Sequence, residues 1–192
     1  MKSGVSIIFG KKERVCPPWL CFTFDNAIRK LIHNPHKILS PYLEVGYTAI
    51  DIGPGKGYFS IPLCNLVGKK GKVIAVDIQE KMLSALRERA SKLGKYDNLI
   101  THLSEPNDFN LAEKADFILA FWMVHEVPNK AIFFNNVKGI MRSNAKMLIA
   151  EPFFHVRRKA FEEMVQIATD HGFKVMKRPK IALSYSVLLA VD

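Results

Sequence analysis

With 192 residues, 48% of them hydrophobic, and a net charge of +10, the chain is long enough for one domain with a sizeable core. No run approaches the ~18 uninterrupted apolar residues of a membrane span. Residues 1–10 also lack the long apolar core of a secretory leader, so neither a membrane-spanning nor a secreted chain is expected.

Residues 1–44 read as a tail followed by a helical lid segment, and residues 45–192 as the main domain. Phe22 to Ile32 carries apolar residues at helical spacing, and Pro35 opens a second short helix, His36 to Leu39, that stops before Pro41. Strand one is expected at about 47–52 and its helix at 57–67. Strand two follows at 72–77 with a helix at 79–93, then strand three at 98–103 and strand four at 115–121. A helix at 129–142, strand five at 145–150 and a helix at 157–171 come next. Two strands, 173–178 and 182–191, close the chain around Pro179. Such alternation predicts an α/β fold, a parallel sheet covered by helices on both faces. The short connection between the last two strands predicts a terminal antiparallel hairpin, because parallel neighbours need a long crossover.

The run Ala49-Ile50-Asp51-Ile52-Gly53-Pro54-Gly55-Lys56-Gly57-Tyr58-Phe59 carries the most chemistry. An apolar strand ends in a carboxylate and enters three glycines at alternate positions, which lets a ligand approach the backbone closely. A dinucleotide loop needs Gly-x-Gly-x-x-Gly. Counted from Gly53 its third glycine falls on Tyr58, which is far too large, and counted from Gly55 it falls on Ser60, which is off pattern. The pattern matched without strain is Asp-x-Gly-x-Gly-x-Gly. A carboxylate at Asp51 repels a pyrophosphate and suits the ammonium of a methionyl tail, whereas Lys56 at the loop tip is expected in solvent. Twenty residues beyond Gly57, Asp77 ends the second apolar strand, where it can accept both hydroxyls of a ribose or cap the helix that follows.

These residues resemble the class I S-adenosylmethionine-dependent methyltransferases. The likeness rests on the glycine loop, Val76-Asp77-Ile78, the stretch Phe117 to Val127, Leu148-Ile149-Ala150-Glu151-Pro152 and the ending His171-Gly172-Phe173-Lys174-Val175, across residues 45–191. It is closest to the small-molecule branch, in which quinone-biosynthesis-type enzymes are familiar. The resemblance implies a Rossmann-like, doubly wound seven-stranded sheet in the order 3-2-1-4-5-7-6 with strand seven antiparallel, and S-adenosylmethionine as cofactor.

Carried over by residue, the likeness implies that Asp51, Gly53, Gly55 and Gly57 hold the methionyl part with Tyr58 beside them. It implies that Asp77 holds the ribose, that Ile78 packs on adenine and that Phe121 lines the pocket. In the loop after strand three, Glu105, Asn107 and Asp108 compete for the adenine amino group. His125 and Glu151, at the ends of strands four and five, are the candidates for a general base. Trp19, Phe22 and Phe24 are expected to close over the pocket and, with Trp122, to choose the acceptor.

Other residues narrow the chemistry. Ala120-Phe121-Trp122-Met123 is not the Asn/Asp-Pro-Pro-Phe/Tyr turn that enzymes acting on exocyclic amino groups share. Glu126 stands alone where metal-dependent catechol-type enzymes have a carboxylate cluster. Cys16 and Cys21 match no standard zinc spacing with His33 and His36, so no metal is expected. The odd count of three cysteines without a CxxC pair fits a reducing cytoplasm. The expected acceptor is a small molecule bearing a phenol, enol, thiol or reactive carbon. The alternatives are an RNA methyltransferase, supported by the +10 charge, and a non-catalytic cofactor-binding protein. Basic clusters such as Arg157-Arg158-Lys159 are read first as solvated faces, so nucleic acid is not the favoured partner.

Overall fold

The structure, a computed structural model, describes residues 32–94 and 96–191. Its elements in chain order are α1 (Pro35–Leu39), β1 (Thr48–Ile52), α2 (Ser60–Val67), β2 (Lys72–Asp77), α3 (Glu80–Leu93), β3 (Leu99–Leu103), β4 (Ala115–Phe121), α4 (Lys130–Gly139), β5 (Met141–Pro152), α5 (Arg158–Asp170), β6 (Lys174–Lys177) and β7 (Ser184–Ala190). The strands form a seven-stranded sheet in the order β3-β2-β1-β4-β5-β7-β6. β1 to β5 run parallel, and β7 is antiparallel to both β5 and β6. This is the expected order and direction.

The central strands are apolar on both faces because both faces are covered. On one face Ile50, Ile52, Ile74, Ile118 and Ala120 pack with Phe133, Phe134 and Val137 of α4 and Phe161, Met164 and Val165 of α5. On the other, Ala49, Val73, Phe117, Leu119 and Leu148 pack with Leu63, Cys64 and Val67 of α2, Leu39 of α1 and Tyr42. Ala75 meets Leu86 and Ala90 of α3 on that second face. Residues 33–42 thus share the main core: His33, Leu39 and Tyr42 are all buried. None of the described helices is long and apolar enough to cross a membrane.

Three boundaries differ from expectation by three residues or more. α4 stops at Gly139 and β5 begins at Met141, which pairs with Ala115. Residues 142–144 then bulge out of register, with Asn144 at φ +65°, before Lys146 resumes the pairing opposite Phe117. The apolar pair Ile140-Met141 extends the helical pattern in sequence, but in space it closes the β4–β5 ladder. α2 begins at Ser60, because residues 55–59 form a turn.

Candidate functional site

Parallel strands bring their C-terminal ends to one edge of the sheet, and the strand order reverses between β1 and β4 at that edge. A cavity of about 170 Å³ opens there. It is lined from β1 by Ile52, Gly53 and Gly55, and from β2 by Asp77, Ile78 and Gln79. β3 adds Ser104 and Glu105, and the turn after β4 adds Trp122, Met123 and Glu126.

Parity along β1 decides what faces the cavity. Ile52 reaches it, whereas Asp51, one residue earlier, points to the opposite face and is buried under α2. The Asp51 carboxylate accepts a hydrogen bond from the Ser60 hydroxyl at 2.6 Å. It lies close enough to Cys64 that burial, with Asp51's charge added, pushes that thiol up to about 12.

The three loop glycines serve three purposes. Gly53, at φ +67°, has Met123 so close that a Cβ would lie 3.0 Å from its Cβ and Cγ. At Gly55, which lines the cavity, a Cβ would meet no protein atom within 4 Å. At Gly57 a Cβ would lie 2.0 Å from Leu86 Cδ1, so this glycine admits α3 and does not line the cavity among the described residues.

Asp77 is buried at the end of β2 and accepts the backbone N–H of Gln79 at 2.9 Å. Burial pushes its carboxyl up to about 6, backbone hydrogen bonds from Gln79 and Ile78 pull it down, and the Glu126 charge adds to the rise. Ile78 and Glu105 both line the cavity. Asn107 lies away from it, its carbonyl accepting the Asn136 side-chain amide at 2.6 Å, and Asp108 turns its carboxylate to the backbone of Asn110.

Tyr58 and Phe121 are also outside the described lining. The Tyr58 hydroxyl donates to the His33 carbonyl at 2.6 Å, and Phe121 packs on Phe59 with ring centroids 4.3 Å apart. Both side chains face the helical layer above β1 and β4, again by strand and loop parity, and join an aromatic group with His33 and Trp122. Trp122 holds φ at +60°, a conformation costly for a large side chain and often found where function demands it. Its indole N–H donates to Ser184 Oγ at 2.9 Å, and its ring meets Phe154. Trp19, Phe22 and Phe24 lie outside the described residues.

His125 and Glu151, both outside the described cavity lining, come together at the C-terminal ends of β4 and β5. Glu151 is buried, and one of its oxygens accepts the Val124 backbone N–H at 2.8 Å. The other contacts His125 Nδ1. Against an ionised carboxylate, which only accepts, Nδ1 is the donor, and that tautomer turns the Nε2 lone pair away from Glu151. Nε2 lies 3.9 Å from Glu126 Oε1, and the His155 ring stands edge-on to His125 at 5.0 Å.

Glu126, read in the sequence only as a lone carboxylate, too few to hold a metal, lines the cavity. It sits five positions past β4, and only the 3-10 turn Val124–Glu126 folds it back over the pocket. Ser104, directly after β3, carried a positional signal, whereas Met82, Phe109 and Phe133 come from separate elements and carried none. Among the described residues, no group of three or more His, Cys, Asp or Glu is placed to hold a metal ion.

Residues 43–179 match the family model described as a methyltransferase domain. A crystal structure of a SAM dependent methyltransferase from Aquifex aeolicus superposes with a TM-score of 0.81 at 28% identity, over 90% of this chain and 97% of that one. Aeropyrum pernix fibrillarin, solved with natively bound S-adenosyl-L-methionine, shares the fold at a TM-score of 0.61 and 15% identity, over 77% of this chain and 67% of that one. The ribosomal protein L11 methyltransferase of Aquifex aeolicus is 32% identical over 156 residues, 81% of this chain and 58% of that protein. An arsenite methyltransferase of Halobacterium salinarum is 27% identical over 126 residues, 65% of this chain and 31% of that protein. The chain therefore spans between 31% and 58% of the length of these two curated relatives. Their names point to ribosomal protein L11 and arsenite, not to quinones.

Proposed function

The chain belongs to the methyltransferase-domain family with the class I fold, and from that premise we propose that it transfers a methyl group from S-adenosylmethionine to a small, partly apolar acceptor. The charge of the cavity supports the cofactor part of this reading. In a chain of net charge +10, the described cavity lining holds Asp77, Glu105 and Glu126 and no Lys or Arg. Such a site favours a ligand bearing a sulfonium and an ammonium and disfavours a pyrophosphate. The residues fit that ligand in shape as well, because Gly55 leaves open the space that a Cβ would fill.

Gly53 and Gly55 would hold the methionyl chain, Asp77 the ribose hydroxyls, Ile78 one face of the adenine and Glu105 its amino group. When bound, S-adenosylmethionine supplies a methyl group already made electrophilic by the positive sulfur. The protein's tasks are to align the acceptor, keep water out and receive a proton. His125 receives that proton at Nε2, while Glu151 holds Nδ1–H and fixes the ring. Trp122 and Phe154 form an apolar wall for the acceptor. Between β5 and β7 the chain adds only α5 and β6, which leaves no separate domain there for a large acceptor.

A macromolecular acceptor is the second reading, favoured by the +10 charge and by the relatives named for ribosomal protein L11. RNA binding that weakens steeply with salt would support it.

The cofactor part of this reading is tested by calorimetric titration with S-adenosylmethionine, S-adenosylhomocysteine and NAD. Micromolar binding of the first two without NAD supports the proposal. Binding of NAD, or of none of the three, overturns it.

A further inference from the structure

We propose that Glu126 is a charge-discriminating residue of the cofactor site: its carboxylate favours the positively charged methyl donor over the neutral thioether left after transfer. This rests on the cofactor reading above.

The placement supports it from two sides. In the cofactor's covalent structure the sulfur joins the ribose 5′ carbon to the methionyl chain. The residues assigned to those two parts are Asp77, at the end of β2, and Gly53 with Gly55, after β1. Glu126 neighbours both. It lines the same cavity, its charge is felt at Asp77, and its backbone N–H donates to the carbonyl of Met123, the residue packed against Gly53. Asp77 has a different position, beside Ile78, Gln79 and Ser104 on the β2–β3 side. Glu105 lies further along that side, after β3. Glu126 is thus the cavity carboxylate on the β4 side, in the same 3-10 turn as His125 and four residues past Trp122.

The second side is the contact with His125. Nε2 of that ring is 3.9 Å from Glu126 Oε1. Before transfer the carboxylate faces a positive sulfur. After transfer that charge is gone, and the acceptor's proton rests on the imidazole within reach of the same carboxylate. Glu126 thus holds less of its grip on the spent cofactor, which favours release. The side chain is 29% exposed, so solvent screens part of this attraction.

The test is a calorimetric comparison of S-adenosylmethionine and S-adenosylhomocysteine on the unaltered protein, Glu126→Gln and Glu126→Asp. Folding of each variant is checked by its melting temperature. Glu126→Gln is expected to weaken the charged ligand about tenfold relative to the neutral one, with Glu126→Asp in between. A cofactor analogue with an ammonium in place of the sulfonium should follow the charged ligand. If Glu126→Gln fails to fold, the same ratio in Glu126→Asp decides. Equal weakening of both ligands, or an unchanged ratio, overturns the proposal. Failure of both ligands to bind the unaltered protein overturns the cofactor reading instead.

Discussion

His125 and Glu151, 26 positions apart in the chain, meet as a hydrogen-bonded pair because β4 and β5 lie side by side and end at the same edge of the sheet. The buried carboxylate fixes which nitrogen of the ring carries the proton. Nitrogen-15 NMR of the unaltered protein should therefore show His125 protonated at Nδ1, and Glu151→Gln should shift that signal. On an acceptor found by screening, His125→Ala should lower kcat by about a hundredfold while changing the affinity for S-adenosylmethionine little. An unchanged kcat would remove His125 from the chemistry.

Burial of the Asp77 carboxylate lowers the stability of the fold. Burial raises its carboxyl to about 6 from an ordinary 3.8. Between those values the folded protein holds the proton more tightly than the unfolded chain, so stability falls as pH rises across that window and stays lowered above it. Full ionisation costs about 3 kcal/mol. Asp77→Asn should raise the melting temperature at pH 7 yet lose about tenfold or more in cofactor affinity. The unaltered protein should lose cofactor affinity as pH drops through about 6. A lower melting temperature for Asp77→Asn would contradict the account.

Gly55 and Gly57 should separate binding from folding. Gly55 lines the cavity and Gly55→Ala meets no protein atom, so it should cost about 1 kcal/mol from its left-handed backbone while impairing cofactor binding strongly. Gly57→Ala drives a methyl group into Leu86 and should cost about 1–3 kcal/mol more in denaturant unfolding, with a smaller loss of affinity. Denaturant titration and calorimetry on both variants check the crossing pattern, and parallel losses would defeat it.

Tyr58→Phe probes whether that ring serves the cofactor or the fold. Removing the hydroxyl takes a donor from the buried His33 carbonyl and should cost about 1–2 kcal/mol in stability. Cofactor affinity should stay within about twofold, since Tyr58 is absent from the described lining. A large affinity loss would place Tyr58 in the binding site.

The sheet was legible because each central strand is a continuous apolar run of the right length, and the family resemblance supplied its order. Strand parity was the weaker inference. Asp51 stands next to the glycine loop in sequence, but the two-residue repeat of a strand sends it beneath α2 and leaves Ile52 at the cavity. β5 shows the same limit, since Arg142-Ser143-Asn144 looks like a loop until Met141 is seen paired with Ala115. Glu126 was hidden because a 3-10 turn reverses the chain after β4. The pairing of His125 with Glu151 depends on adjacency that no local pattern carries.

β7 lies between β5 and β6, although it is the last strand of the fold in chain order. During synthesis β5 is finished by residue 152, yet the strand that covers its open edge ends at residue 190. Until then the growing chain presents one uncovered edge of its longest described strand, Met141–Pro152, with Met147, Leu148 and Ile149 in its second half. That interval exposes a template for misplaced pairing, and β6, which precedes β7 in the chain, is not its partner in the finished sheet. Completion of the sheet therefore depends on the β6–β7 hairpin docking along the β5 edge, so a nascent chain stalled near residue 180 leaves that edge open to misplaced pairing.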